Sequence, residues 1–182
     1  MNALNLFEAN IVLWIQENLR AEALNPVVRA ITALGNGGIF WIILSIALLL
    51  FKKTRKAGLC CALALILDLL VVNMALKPLF ARIRPYRINE AITVITNLPG
   101  DHSFPSGHSA CSFAAAWALM KSVRGKWGRA AVALAALVAL SRLYVGVHYP
   151  TDVLGGTAIG IILAEIAVRI IGAAAKKWNV LE

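Results

Sequence analysis

The sequence predicts an all-α fold: a polytopic membrane helix bundle of about five transmembrane helices, preceded by an N-terminal interfacial amphipathic helix. Three observations carry that expectation. Apolar residues make up 60% of the 182-residue chain, above the roughly 45–50% usual in soluble domains, and mean hydropathy is +0.76. These residues fall into separate runs instead of scattering. The charges gather at the ends of the runs.

Taken in order, "LNLFEANIVLWIQENL" places Leu4, Phe7, Ile11 and Ile15 at helical spacing. Glu8 and Glu17 interrupt that face, and a carboxylate in hydrocarbon costs several kcal/mol. The segment is therefore read as lying in the interface. "NPVVRAITAL" predicts a second short helix with Pro26 in its first turn. Five apolar runs follow, at 37–51, 57–76, 107–121, 128–147 and 152–175. Together they exceed what a soluble domain of this size buries. One domain covering 1–182 is expected, with interfacial helices over 1–35 and the transmembrane bundle over 36–175. Cys60, Cys61 and Cys111 fall inside predicted spans without metal-ligand spacing and read as small buried apolar residues.

The net charge is +9. A uniformly basic surface would point to nucleic acid, but here the cations are bunched, so no nucleic-acid partner is expected. Lys52, Lys53, Arg55 and Lys56 form one group, Lys121, Arg124, Lys126 and Arg129 another, and Arg169, Lys176 and Lys177 a third. With five spans these share one side, the cytoplasmic one by the positive-inside rule, so the N-terminus is expected outside and the C-terminus inside. Lys77, Arg82, Arg84 and Arg87 sit on the opposite side. Cations there need another task, and holding an anion is one.

On that side the polar groups converge. Lys77 and Arg84 flank the end of the second span. Ser106, Gly107 and His108 open the third, and Arg142, His148 and Asp152 lie between the fourth and fifth. Arginine grips an anion as a bidentate fork and lysine as a point charge; snorkelling toward headgroups is the alternative for each. Gly107 lets its backbone N–H approach a ligand, at a helix N-terminus suited to an anion. Ser106 fits a cap. Asp152, four residues after His148, is placed to fix the tautomer of that ring, or simply to cap the fifth span. Residue spacing alone thus describes an anion site with two imidazoles. Asp68, Asn73 and Glu165 lie inside spans and are expected to make a structural bond to a helix neighbour or, for the carboxyls, to be protonated, with lining a substrate path as the alternative. Asp101 and His102 are expected in a solvated loop, with a substrate-contact role as the alternative because they stand just before the second motif.

The pattern Lys77, six residues, Arg84-Pro85; Pro105-Ser106-Gly107-His108; Ser141-Arg142, five residues, His148, three residues, Asp152 resembles the type 2 phosphatidic acid phosphatase (PAP2) superfamily, which includes membrane lipid phosphatases, bacterial acid phosphatases and vanadium haloperoxidases. The resemblance implies His148 as the nucleophile that forms a phosphohistidine and Asp152 as its orienter. It implies His108 as the proton donor to the leaving oxygen. Lys77, Arg84, Ser106, Gly107 and Arg142 would then bind the phosphoryl oxygens. No metal and no cofactor are implied. The implied enzyme is a multi-pass plasma-membrane lipid phosphatase with its site on the non-cytoplasmic face. Undecaprenyl diphosphate leads among substrates, ahead of phosphatidylglycerophosphate or phosphatidic acid. A non-catalytic lipid-phosphate binder or transporter is the alternative of another class.

Overall fold

The computed structural model describes residues 3–123 and 125–178, so Arg124 lies outside the described residues. Nine α-helices occur among them, with no strand. They are α1 (Ala3–Leu19), α2 (Asn25–Ala33), α3 (Ile39–Leu50), α4 (Arg55–Asp68), α5 (Lys77–Phe80), α6 (Pro85–Ile88), α7 (Gly107–Ser122), α8 (Lys126–Tyr144) and α9 (Pro150–Trp178). A π-helical stretch, Leu69–Leu76, joins α4 to α5 without a break.

α7 is the central post, packed against α9, α8 and α4. Its inward positions are small: Ala110, Ala114, Ala115, Ala116 and Ala118 are all buried. Between apolar helices in lipid there is no hydrophobic drive to associate, so close packing of small residues supplies it. Gly160 of α9 is one such contact, because a Cβ there would stand 2.3 Å from the Ala110 carbonyl oxygen. Buried hydrogen bonds add cross-links: Trp41 Nε1 donates to Ser112 Oγ at 2.9 Å, and Ser45 Oγ to the Gly58 carbonyl at 2.9 Å. Each is worth about 0.6 kcal/mol in a membrane bundle.

The expected helical bundle is therefore present. Three helical runs, Arg55–Ile88, Lys126–Tyr144 and Pro150–Lys177, are long and apolar enough to span a bilayer. Glu22–Ala33 and Asn36–Leu50 make a fourth if the pair, bent by 45°, counts as one span. That bend sits at residue 35, the boundary expected between interfacial helices and bundle. α7, with 16 residues, covers about 24 Å at helical rise, short of a 30 Å hydrocarbon core, and protein surrounds it.

In α1, Leu4 and Phe7 of the apolar stripe are exposed, and the face turned to the protein is Glu8, Ala9 and Val12. A carboxylate is tolerated there because Arg82 and Thr151 satisfy it. The helix packs on α6, α8 and α9.

Candidate active site

The third motif folds around Asp152. His148 lies in the short connection before α9 and Asp152 in the first turn of that helix. The His148 ring and the Asp152 carboxylate are both buried, with Nδ1 3.3 Å from Oδ2. That oxygen also accepts the Ser103 hydroxyl at 2.5 Å and the Tyr149 backbone N–H at 2.9 Å. The other oxygen, Oδ1, receives Arg82 at 2.6 Å. With Nδ1–H donating to Asp152, the Nε2 lone pair points away from the carboxylate. Arg84 Nη1 faces it at 3.3 Å. Burial lowers the His148 pKa to about 4, against the raising effect of the Asp152 bond. The ring is thus neutral at pH 7, with Nε2 free to act as a nucleophile.

Arg82 was read only as one of several outward cations. It is the hub that holds Asp152. Its guanidinium pairs with Asp152 and with Glu8 at 2.5 Å, donates to Thr151 Oγ1 at 2.7 Å and to Asn5 Oδ1 at 2.8 Å, and covers the Tyr149 ring 4.0 Å from its centroid. Glu8 in turn accepts the Thr151 N–H at 2.8 Å and its hydroxyl at 2.7 Å. The N-terminal helix therefore clamps the start of α9.

The second motif begins α7. Ser106 is its N-cap, with the side chain accepting from the Ser109 N–H at 3.4 Å and from the Ser109 hydroxyl at 2.9 Å. The Ser106 N–H donates to the Asp152 carbonyl at 3.0 Å, which ties this motif to the third. Gly107 and His108 are the first two residues of the helix. A Cβ on Gly107 would stand 3.3 Å from Lys77 Nζ and 3.4 Å from Asn73 Oδ1, so the lysine lies over the helix start.

Lys77 and Arg84, both buried, share a single anion: Asp101. Its carboxylate pairs with Lys77 Nζ and with Arg84 Nη2, the latter at 2.6 Å, and its carbonyl accepts Arg84 Nε at 2.9 Å. Partial desolvation raises the Asp101 pKa, but the two cations outweigh it and hold the group at about 2. Asp101 and His102 are both exposed in a loop, as expected, and Asp101 sits where the motif cations would meet a phosphoryl group. Arg142 is buried, donates to Thr32 Oγ1 at 2.6 Å, and leaves Nε without a partner among the described residues.

His108 meets a feature outside the motifs. Its Nε2 lies 2.9 Å from Asn36 Oδ1. Asn36 belongs to the Gly35–Gly38 bend, where Gly37 and Gly38 have φ of 56° and 67°, a region glycine enters without penalty. A Cβ on Gly35 would stand 2.5 Å from the His108 ring. The bend therefore cups the imidazole. Arg142, His148, Lys77 and Arg84 all lie within electrostatic reach of His108. All eight residues singled out by the motifs thus gather at one level of the fold. Below them a cavity of about 660 Å³ opens from Lys77, Asp101 and His108 and descends between α3 and α4 to Leu49 and Ala62.

The arrangement places a neutral imidazole nitrogen behind two cations and a helix N-terminus, with a second imidazole at the mouth of an apolar cavity. Such a site suits an anionic headgroup whose chain lies in the cavity. Among the described residues no cluster of three or more His, Cys, Asp or Glu side chains is placed to hold a metal ion. Missed in the sequence are Arg82, Glu8, Asn36 and the cation pairing of Asp101. None stands at a motif position.

A helical membrane bundle around an anion site with paired imidazoles is the class these features define. The chain belongs to the PAP2 superfamily, matched over residues 57–176. It is 34% identical to an undecaprenyl-diphosphatase of Sulfolobus acidocaldarius over 71% of this chain and 63% of that one. It is 33% identical to a lipid A 4'-phosphatase of Porphyromonas gingivalis over 76% of this chain and 64% of the other. The chain thus spans a little under two thirds of the length of these relatives. Among solved structures, LpxE of Aquifex aeolicus superposes with a TM-score of 0.79 at 30% identity, covering 92% of this chain and 96% of that one. A PAP2-type phosphatidylglycerolphosphate phosphatase from Bacillus subtilis gives 0.74 at 27% identity, covering 100% and 90%.

Proposed function

We propose that this chain is an integral-membrane lipid phosphatase that works through a phosphohistidine on His148. The observation that carries the reading is the His148–Asp152 pair, with Nε2 turned toward Arg84 beside the Lys77–Arg84 anion site. The Nε2 lone pair attacks phosphorus while the bond from phosphorus to the lipid oxygen breaks on the opposite side. That oxygen takes a proton from His108. Water then attacks the phosphorus–nitrogen bond, giving a proton back to His108 and releasing phosphate. Asp152 keeps the Nδ1 proton in place throughout. Lys77, Arg84 and Arg142 neutralise the phosphoryl oxygens, with the Ser106 cap and the Gly107 N–H at the helix end. The protein's own cations supply the charge, and no step calls for a metal.

The substrate is a lipid with a terminal phosphate or diphosphate, its chain in the cavity between α3 and α4. Undecaprenyl diphosphate is the leading reading, supported by relatives bearing that name. Acyl-lipid phosphates, as in phosphatidylglycerophosphate or phosphatidic acid, form the second reading, favoured by polar groups on the cavity wall. The proposed setting is the plasma membrane, with the site on the non-cytoplasmic face, because the basic clusters flank the opposite ends of the spans.

The test is phosphate release from detergent-solubilised protein with EDTA present. Release by wild type and its loss in His148→Ala are expected. No release from any lipid phosphate would leave a non-catalytic binder. Release that EDTA abolishes would refute the metal-free chemistry.

A further inference from the structure

The cavity beneath the anion site is apolar on most of its wall, yet one strip is not. Asp68 and Asn73 line it together with Lys77. Asp68 is 3% exposed, and its Oδ1 has no hydrogen-bond partner among the described residues. No helix neighbour among the described residues donates a hydrogen bond to that atom. Glu165, by contrast, does find structural partners, accepting Trp117 Nε1 at 2.8 Å and Lys121 at 2.8 Å. A buried polar atom without a partner costs free energy, and an ionisable group at membrane depth that pairs with nothing points to function.

The backbone explains how the strip forms. In an α-helix at 3.6 residues per turn, positions five apart diverge by about 140°, so residues 68 and 73 would face different ways. The segment Leu69–Leu76 is π-helical over 8 residues. Its i→i+5 bonding stacks residues five apart nearly above one another. Asp68, Asn73 and, four residues on, Lys77 are thereby brought to one wall. Extended π-helix is rare and usually limited to single-turn bulges. The lysine stem folds beside Asn73, since both reach the same point over Gly107, within 3.3 and 3.4 Å. Lys77, Asn73 and Asp68 line the cavity together with the aliphatic side chains of Leu65 and Leu49.

We infer that Asp68 and Asn73 form a second subsite, one that hydrogen-bonds the polar linkage between phosphate and chains. The ligand class is an acylated lipid phosphate, whose ester or amide carbonyls follow directly on the phosphate. Asn73 offers amide N–H donors, and Asp68 as a carboxylic acid offers an O–H donor and a carbonyl acceptor. A polyprenyl diphosphate has nothing for Asp68. Its second phosphate suits Asn73 and Lys77, and pure hydrocarbon then passes Asp68, leaving that group unpaired. The inference rests on the lipid-phosphatase reading and chooses the acyl class within it.

The experiment compares a diacyl lipid phosphate with its diether analogue, matched in chain and headgroup. Wild type is expected to favour the ester about tenfold in kcat/KM, the scale of one buried hydrogen bond. Asp68→Leu is expected to bring the ratio near one, and Asp68→Asn to keep most of it. Because the ratio is internal to each variant, partial loss of folded protein cancels. A wild-type ratio near one, or a ratio that survives Asp68→Leu, would overturn the inference. The same two lipids are also added to His148→Ala, and the rise in unfolding temperature is read without turnover. A larger rise with the ester, lost when Asp68→Leu is added, supports the subsite even where wild type releases no phosphate. That outcome would sink the phosphatase reading alone. Equal rises with ester and ether would sink the subsite alone.

Discussion

The carboxylate of Asp101 bridges Lys77 and Arg84, accepting from Arg84 Nη2 at 2.6 Å. It is an anion from the chain itself, standing where the motif cations would hold the phosphoryl group. A substrate phosphate must displace it. Partial desolvation raises its pKa, but the two cations hold it at about 2, so it stays ionised across the working pH range and competes throughout.

Asp101→Asn should therefore tighten inhibition by inorganic phosphate. The carboxylate side chain is 48% exposed, so solvent screening limits the gain to about fivefold, near 1 kcal/mol. A phosphate inhibition constant that rises in the variant would show that Asp101 assists binding.

The Asn36 contact bears on proton donation. With Oδ1 2.9 Å from His108 Nε2, the amide oxygen accepts the proton on that nitrogen and fixes the orientation of the ring. Asn36→Ala should slow cleavage of a lipid alkyl phosphate by about 10–100-fold, part of what a general acid contributes. It should barely affect p-nitrophenyl phosphate, whose leaving group needs no proton. Equal losses on both substrates would mean that Asn36 merely supports the bend.

Glu8 links the N-terminal helix to the catalytic carboxylate through Arg82. Removing one partner of a buried ion pair costs about 3–5 kcal/mol. Glu8→Ala should lower the unfolding midpoint in detergent and reduce kcat with little change in KM, since Asp152 loses the hold on its Arg82 partner. Unchanged stability and kcat would show that α1 is only a surface attachment.

The acid limb of the pH–rate profile follows from His148. Burial lowers its pKa to about 4, so the nucleophilic neutral form persists as pH falls and is lost only through that value. In kcat/KM, which reports the free enzyme, the contribution of this group should hold from pH 7 to about 5 and then decline. An acid limb centred near the ordinary histidine value of about 6.5 would contradict the buried, neutral ring.

The motif residues were legible in sequence because their order and spacing are local. Ser106 announced its cap, and His148 and Asp152 met as a four-residue spacing allows. Glu8 was misread for a physical reason: in isolation a carboxylate amid apolar residues looks like a solvated face. Its partner Arg82 is 74 residues away, a pairing that only the fold makes. Asn36 was hidden likewise in a glycine bend, whereas for Asp101 only the place before the second motif was legible, not its pairing with Lys77 and Arg84. The close helix packing that the alanines of α7 provide was not legible either, because it depends on which helices surround it. The π-helical Leu69–Leu76 left no sequence signal, and with it went the alignment of Asp68 with Asn73.

The central claim is covalent phosphate on His148, and trapping it is the most direct test. p-Nitrophenyl phosphate can load the nucleophile without an acid, whereas hydrolysis of the intermediate needs a base. His108→Ala supplied with that substrate should therefore accumulate phosphoenzyme. After alkaline quench and digestion, mass spectrometry should find a phosphoryl group on the peptide bearing His148, stable to alkali and labile to acid. Phosphate on another side chain, or turnover of this variant with no covalent phosphate at any time point, would contradict the account.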